Sequence, residues 1–249
     1  MTPLFPGFLT AWRTLTILRL PGRDAARFAA ALPFFPVVGA LLGAGVAAVS
    51  WAAAAAHWPA LAGPAAAGLL ALVTGALHLD GLADGADALY GHRTPARRLE
   101  IMKDPRVGAM GVTALIFAVL LKVVAIGRLA GDGAWLWLVL PCVWSRAAMP
   151  VLAVSLPSAR PDGTAGRFLA DARPSHAVVA VLLALALTVA VAPRAALACA
   201  AATVVLVLLL RRVFRRAVGG VTGDLLGFGS EFIEVALLLG LALAGGASW

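Results

Sequence analysis

The chain has 249 residues, of which 62% are hydrophobic and 13% are charged, and its mean hydropathy is +0.95. This composition excludes a soluble globular domain and is typical of an integral membrane protein built from one helical bundle. The formal charge of +8 does not indicate a nucleic-acid partner, because basic residues placed between apolar segments more often reflect membrane topology and anionic lipid. We therefore expect a single all-α domain over residues 1–249 that contacts membrane lipid and binds no nucleic acid.

Apolar segments long enough to cross a bilayer recur along the whole chain. Four arginines precede the first of them, which favours a retained first span over a cleaved signal peptide. The sixth segment is short, so it either crosses with little tilt or is partly re-entrant. At about 20 residues for each crossing, the sequence predicts a polytopic transmembrane bundle of about seven spans, at 30–56, 60–79, 107–127, 134–157, 175–193, 195–210 and 229–247.

The basic residues are distributed unequally between the two sides of this bundle. With a cytoplasmic N-terminus, sixteen of the twenty lysines and arginines fall in cytoplasmic segments, while Arg128 and Arg194 fall outside. The positive-inside rule requires this asymmetry. The sequence therefore predicts a cytoplasmic N-terminus, and it places both of the acidic stretches described next on the cytoplasmic side.

Eight of the twelve acidic residues lie in two short stretches beside apolar segments, with Glu100 and Asp104 counted in the first. In the first, Asp80, Asp84 and Asp87 have i, i+4, i+7 spacing, which places them on one face of a helix. Such carboxylates repel one another unless a cation lies between them, and a divalent metal leaves coordination positions for phosphate. The stretch thus predicts a Mg²⁺ site for phosphate chemistry, with acids that cap a solvated helix end as the alternative. At Gly81 and Gly85 we expect a bulky substrate to approach the backbone.

Residues 100–111 place two cations and an acid directly before the third predicted span. Lys103 and Arg106 are natural phosphate partners, with positive-inside anchoring as the alternative. Asp104 lies between them in the sequence. His78, just before the aspartates, is interpreted as a metal ligand, a base or a hydrogen-bonding neighbour of the first aspartate.

Two basic residues lie inside predicted spans. An unpaired charge is costly there, so we expect Arg146 to face the bundle interior and to pair with an acid from either stretch. Lys122 is either buried in the same way or reaches the interface by snorkelling. Farther along, the glycine-containing loop 160–168 starts at Arg160 and has the composition of an anion-binding loop.

The second acidic stretch comprises Asp224, Glu231 and Glu234. Their spacing again favours one helix face, which predicts a contribution to the same metal site. Acids at the start of a span are favourable in any case, so the two glutamates also fit as simple helix N-terminal residues.

Six stretches, in order over nearly the whole chain, form a combination that is far more specific than any one of them: Phe34–Gly39, Thr74–Asp87, Arg98–Gly108, Ser145-Arg146, Ala159–Gly163 and Gly219–Asp224. Together they resemble the cobalamin synthases, the family of adenosylcobinamide-GDP ribazoletransferases. The chain departs from the family pattern at Thr164-Ala165-Gly166, where a tighter glycine-containing form is expected. This departure affects the role of that loop and not the resemblance as a whole.

The resemblance implies a Mg²⁺-dependent transferase in the bacterial or archaeal plasma (inner) membrane. It would join adenosylcobinamide-GDP to α-ribazole, or to α-ribazole 5′-phosphate, and release GMP at the last assembly stage of cobalamin biosynthesis. A ribazole hydroxyl would attack the cobinamide-side phosphorus, which requires charge stabilisation by metal and basic side chains and a general base.

This chemistry leads to a hypothesis for the site residues, with roles assigned by charge and position. As catalytic residues we hypothesise Asp84, Asp87 and His78. As metal ligands we hypothesise Asp80, Asp84, Asp87, Asp104 and Asp224. As substrate and phosphate ligands we hypothesise Lys103, Arg106, Arg146 and Arg160.

Other functions remain as alternatives at this stage. The acidic motif resembles more loosely that of CDP-alcohol phosphotransferases, but the chain lacks their Ala-Arg pair after the aspartates. A prenyltransferase acting on a lipid diphosphate would likewise bind its substrate through Mg²⁺ held by carboxylates. A transporter would place its carboxylates at mid-membrane on broken helices, whereas these lie at one membrane face. The sequence does not decide whether the protein forms a homo-oligomer.

Overall fold

The computed structural model describes residues 4–160, 166 and 169–245. Within these residues β structure is confined to one isolated bridge between Ser158 and Val221, so the prediction of an all-α protein is confirmed. Short 3₁₀ turns precede α2, α3 and the helix that starts at Val139. The α-helices are α1 (Leu4–Leu15), α2 (Phe35–Ala55), α3 (Ala62–Thr74), α4 (Leu77–Leu89), α5 (Pro95–Ile101), α6 (Ala109–Gly131), α7 (Val139–Ser155), α8 (Pro174–Val189), α9 (Pro193–Val218) and α10 (Gly223–Ala244).

Several of these helices are long and apolar enough to cross a membrane. Helix α8 has sixteen residues, which extend about 24 Å and fall short of a hydrocarbon core of about 30 Å. The bent pair formed by α3 and α4 counts as a sixth span if it is taken as one. A polytopic bundle is therefore confirmed, with five or six spans by length and composition among the described residues, where the sequence predicted about seven. The five are Phe28–Ala55, Ala109–Gly131, Trp135–Ser155, Pro193–Val218 and Gly223–Ala244.

The predicted short segment 195–210 is one continuous helix of 26 residues, α9. The hydropathy pattern ends at Arg211, but the helix continues for two more turns. Arginine is a good helix former, and its long side chain extends toward water from an exposed face. The charged end of α9 is thus a helical extension and not the start of a loop.

Helices α3 and α4 meet at a sharp corner of 90°. Gly75 and Ala76 form the corner in the left-handed conformation, with φ of 59° and 57°. Glycine tolerates this conformation at a helix C-terminus, whereas alanine there is strained by roughly 1 kcal/mol. The corner ends α3 at Thr74 and directs α4, which carries the three aspartates, across the first turns of α10.

Gly81 and Gly85 form the contact between α4 and α10. A Cβ atom at Gly81 would lie 2.7 Å from the carbonyl oxygen of Asp224, and one at Gly85 would lie 2.5 Å from the ring of Phe228. Both glycines are buried, because the missing side chains let two helices approach closely. The prediction that a substrate reaches the backbone at these glycines is therefore wrong.

Gly81→Ala should destabilise this helix contact, because the carbonyl of Asp224 belongs to backbone that cannot rotate away. We expect a loss of roughly 1–3 kcal/mol, as for overpacking elsewhere, visible as a lower midpoint of thermal unfolding in detergent. Gly240→Ala, in α10, is the matched control because a Cβ there meets nothing within 4 Å. Equal midpoints for both variants would contradict the packing role of Gly81.

Candidate active site

The three aspartates of the first acidic stretch lie on one helix, as their spacing predicted. Asp80 is exposed, while Asp84 and Asp87 are partly buried. The charges that act on Asp84 are those of Asp80, Asp87, Asp224 and Arg160. Among the described residues, the carboxylates of Asp80 and Asp84 form no hydrogen bond or ion pair. Their oxygen atoms are therefore available as acceptors at this end of the bundle.

Asp87 is bound to the first turn of α6. Its carboxylate accepts hydrogen bonds from the backbone N–H groups of Gly108 at 2.7 Å and Gly111 at 2.9 Å. A negative charge is stabilised at this position by the unpaired amides and the dipole of the helix N-terminus. Because both oxygens are engaged, Asp87 is less available to a metal than the other two aspartates.

Asp224 approaches the same region from the first turn of α10, which Thr222 caps through the N–H of Leu225. It pairs with Arg160, whose Nη1 lies 2.9 Å from Oδ2 of Asp224. The second nitrogen of Arg160 donates to the carbonyl of Leu99 at 3.0 Å. Arg160 thus joins the end of α5 to the start of α10. Residues 161–165 and 167–168 of the predicted anion-binding loop lie outside the described residues.

The predicted phosphate ligands of the α5–α6 connection lie beside a shallow cleft. Arg106 donates to the carboxylate of Asp104 at 2.9 Å and 2.7 Å, which lowers the pKa of Asp104 to about 2. Lys103 is exposed next to this pair. Arg93 also borders the cleft and was not among the predicted site residues. The cleft has a volume of about 220 Å³ and is lined by Asp87, Arg93, Ile101, Asp104, Arg106, Val107 and Gly108.

The predicted metal ligands differ in how well they fit a divalent cation. Asp80 and Asp84 have free oxygens, and Asp224 acts on Asp84 from the neighbouring helix. Oxygen ligands of this kind suit Mg²⁺. Asp87 is occupied by amides and Asp104 is neutralised by arginine. No three His, Cys, Asp or Glu side chains of the described part of the chain lie close enough to form a complete metal site, so the metal role of all five remains a prediction.

A second group of charged residues lies inside the bundle. Lys122 of α6 pairs with Glu231 and, at 2.7 Å, with Glu234, both in α10. Arg146 of α7 pairs with Glu234 as well, and one of its nitrogens lies 3.3 Å from Nδ1 of His78. None of the five side chains belongs to a residue more than 5% exposed. We call these five residues the buried ionic cluster.

The buried ionic cluster settles several expectations from the sequence. The expected pairing of Arg146 with an acid is confirmed, and Lys122 is buried rather than snorkelling. Glu231 and Glu234 are used within the bundle, two to three turns deeper along α10 than Asp224. His78 and Arg146, predicted as catalytic and phosphate-binding residues, contact each other and not the aspartates. Charge within a span indicated that such pairs exist, but not which residues form them.

Comparison with known proteins identifies relatives over almost the whole chain. Residues 7–242 match the family described as cobalamin-5-phosphate synthase. A protein named adenosylcobinamide-GDP ribazoletransferase from Chlorobaculum tepidum is 42% identical over 244 residues, covering 96% of both chains. Proteins of the same name from Chlorobaculum parvum and Prosthecochloris aestuarii are each 41% identical, covering 96% and 93% of this chain and 96% and 95% of their own.

No solved structure gives a significant match to the chain. The family is therefore established by sequence, over a length that includes α4, most of α10 and every residue of the candidate site. The resemblance seen in the six stretches is confirmed by this match. The chain belongs to the cobalamin-5-phosphate synthase family of transferases.

Proposed function

We propose that the protein is a Mg²⁺-dependent adenosylcobinamide-GDP ribazoletransferase. The observation that carries this proposal is the arrangement of Asp80 and Asp84, unpaired and partly exposed, opposite Asp224 and Arg160 at one end of the bundle. Carboxylates beside an arginine suit a diphosphate bound through a metal, since the arginine binds phosphate oxygens directly. The relatives named for this activity support the same reaction.

The proposed reaction is a displacement at the cobinamide-side phosphorus of adenosylcobinamide-GDP. A hydroxyl oxygen of α-ribazole, or of its 5′-phosphate, forms the new P–O bond. The bond from that phosphorus to the bridging oxygen breaks, and GMP leaves with this oxygen and its electron pair. The hydroxyl proton passes to a base, so the products are adenosylcobalamin, or its 5′-phosphate, and GMP.

The proposed roles of the site residues in this reaction follow from their positions. Asp80, Asp84 and Asp224 would hold Mg²⁺, which when bound supplies positive charge to the diphosphate oxygens. Asp84 is partly buried and unpaired, so it is also placed to accept the hydroxyl proton. Asp87 positions α4 against α6 through its two amide contacts.

Basic side chains at the same end of the bundle would bind the substrate phosphates. Arg160 can exchange its bond to Asp224 for a phosphate oxygen while it keeps its bond to Leu99. Arg106 and Lys103 are exposed at the neighbouring cleft. The bacterial relatives and the excess of basic residues at this end support an active site on the cytoplasmic side of the plasma membrane.

GMP release tests the proposed function and its metal requirement together. Purified protein with adenosylcobinamide-GDP and α-ribazole 5′-phosphate should release GMP, EDTA should abolish the release, and excess Mg²⁺ should restore it. Chromatographic separation of GMP from the GDP-linked donor gives the rate. Activity that persists in EDTA would refute the metal requirement, and product formed from a CDP-alcohol donor instead would refute the proposed donor.

A further inference from the structure

A cavity of about 300 Å³ lies between α3, α6 and the start of α4 and is lined in part by residues of the buried ionic cluster. Its mouth is bordered by exposed residues of apolar helices, among them Gly68 and Val119, so it opens on the lipid-facing side of the bundle. Its side walls are apolar and mostly small, and its floor is polar. The walls include Pro64, Ala67, Gly68, Ala71, Val119 and Val123, and the floor includes His78, Lys122, Arg146 and Glu231.

Two residues of the cavity floor, His78 and Arg146, each have a buried side-chain nitrogen without a hydrogen-bond partner among the described residues. A guanidinium can only donate, so the contact from Arg146 makes Nδ1 of His78 the accepting nitrogen. In the neutral imidazole the proton then lies on Nε2. Nε2 is buried and has no partner in the part of the chain that the structure describes, which costs free energy unless a bound molecule supplies an acceptor.

The charges around the cavity indicate that its ligand is neutral. The two cations and two carboxylates of the buried ionic cluster are paired with one another, so no net charge remains to attract an anion. A phosphate group would have to lose its hydration shell against apolar walls, at high cost. The cavity therefore favours an uncharged molecule that presents a hydrogen-bond acceptor to the floor and apolar surface to the walls.

The depth of the cavity excludes a phospholipid ester as that acceptor. Lys122 is the fourteenth residue of α6, which runs from Ala109 to Gly131, so it lies roughly 20 Å from one end of the span and 14 Å from the other. Ester carbonyls lie at the interfaces, about 15 Å from the bilayer midplane. A volume near the lower end of small-molecule sites suits a ring system rather than a whole nucleotide.

We propose that the cavity binds the benzimidazole base of the ribazole substrate, with Nε2–H of His78 donating to the free ring nitrogen. This inference rests on the proposed function, because ribazole is its acceptor substrate. A benzimidazole is flat, neutral at pH 7 and apolar except for its ring nitrogens. Once one nitrogen carries the ribose, a single acceptor remains, and the unpartnered Nε2–H of His78 is a neutral donor that can bind it.

Binding of free benzimidazole to the full-length protein in lipid nanodiscs tests the proposal. Isothermal titration should give saturable binding that is tighter than binding of indole, which has the same shape but no ring acceptor. His78→Leu should weaken benzimidazole binding about fivefold, as expected for one neutral hydrogen bond, and should leave indole binding unchanged. An equal affinity of the wild type for the two probes would overturn the proposal.

A blocked cavity gives an independent measurement. A Cβ at Gly68 meets nothing within 4 Å, and the same holds for Gly127, which does not line the cavity. Gly68→Leu should fold normally and abolish benzimidazole binding, whereas Gly127→Leu should bind as the wild type does. Binding that survives in Gly68→Leu, or binding in detergent that disappears in nanodiscs because lipid chains fill the cavity, would contradict the proposal.

GMP release in the same preparations separates this inference from the proposed function. If the wild type releases GMP but does not bind benzimidazole, the proposed base-binding role of the cavity is refuted and the proposed reaction is not. If the wild type neither releases GMP nor binds benzimidazole, the proposed function is refuted as well. Support requires GMP release, a preference for benzimidazole and loss of that preference in His78→Leu.

Discussion

Asp84→Asn should lower the rate of GMP release by about a thousandfold or more while the protein accumulates normally in the membrane. The amide keeps the size of the side chain but removes a metal-binding oxygen charge and the proton acceptor, and each of these contributes roughly two to four powers of ten. Folding should be spared, because Asp84 makes no hydrogen bond or ion pair with the described residues. The measurement is single-turnover GMP release at saturating Mg²⁺ and donor.

Glu100→Gln is the matched control for this substitution. Glu100 is also acidic and lies near the same end of the bundle, but it is exposed, and within the described part of the chain its one ion pair is with Arg97, one turn away on α5. Exposed pairs of this kind contribute little, so we expect wild-type rates. Comparable loss in both variants would assign the effect to the general charge of this surface, and a fully active Asp84→Asn would refute the role of Asp84.

The part of the site that is predictable from the sequence is the part set by local spacing. Asp80, Asp84 and Asp87 share a helix face because a helix turns once every 3.6 residues, and the structure has them on α4. Their partners depend on contacts between distant segments. Nothing in the sequence near Asp87 indicates that its oxygens bind the amides of Gly108 and Gly111, because backbone donors carry no residue signature.

The partners of the glycines beside the aspartates are also not predictable from the local sequence. A glycine beside catalytic aspartates is needed both where a substrate approaches and where another helix approaches, because both require a missing Cβ. The structure assigns Gly81 and Gly85 to the contact with α10. Hydropathy likewise located the apolar part of α9, but it placed the end of the helix where the arginines begin, since it measures polarity and not helix propensity.

Arg146 was predicted to pair with an acid inside the bundle, and Lys122 was predicted either to be buried in the same way or to snorkel. The energetic consequence of the observed pairing is open to measurement. Lys122→Met should destabilise the protein by about 3–5 kcal/mol, because it leaves Glu231 and Glu234 buried with only one cation between them. We expect a lower midpoint of thermal unfolding in detergent. The matched control is Arg97→Met, which breaks an exposed pair and should change the midpoint little.

The double variant Lys122→Met/Glu231→Gln decides whether charge balance or the particular lysine matters. It leaves Arg146 paired with Glu234, so the remaining buried charges cancel. If balance is what stabilises the bundle, the double variant should unfold at a higher temperature than Lys122→Met alone, although it carries one more substitution. Because the buried ionic cluster joins α4, α6, α7 and α10, this recovery should extend to GMP release, since α4 also carries Asp80 and Asp84. Recovery of stability without recovery of the rate would show that Lys122 itself, and not only the balance of charge, is needed for activity.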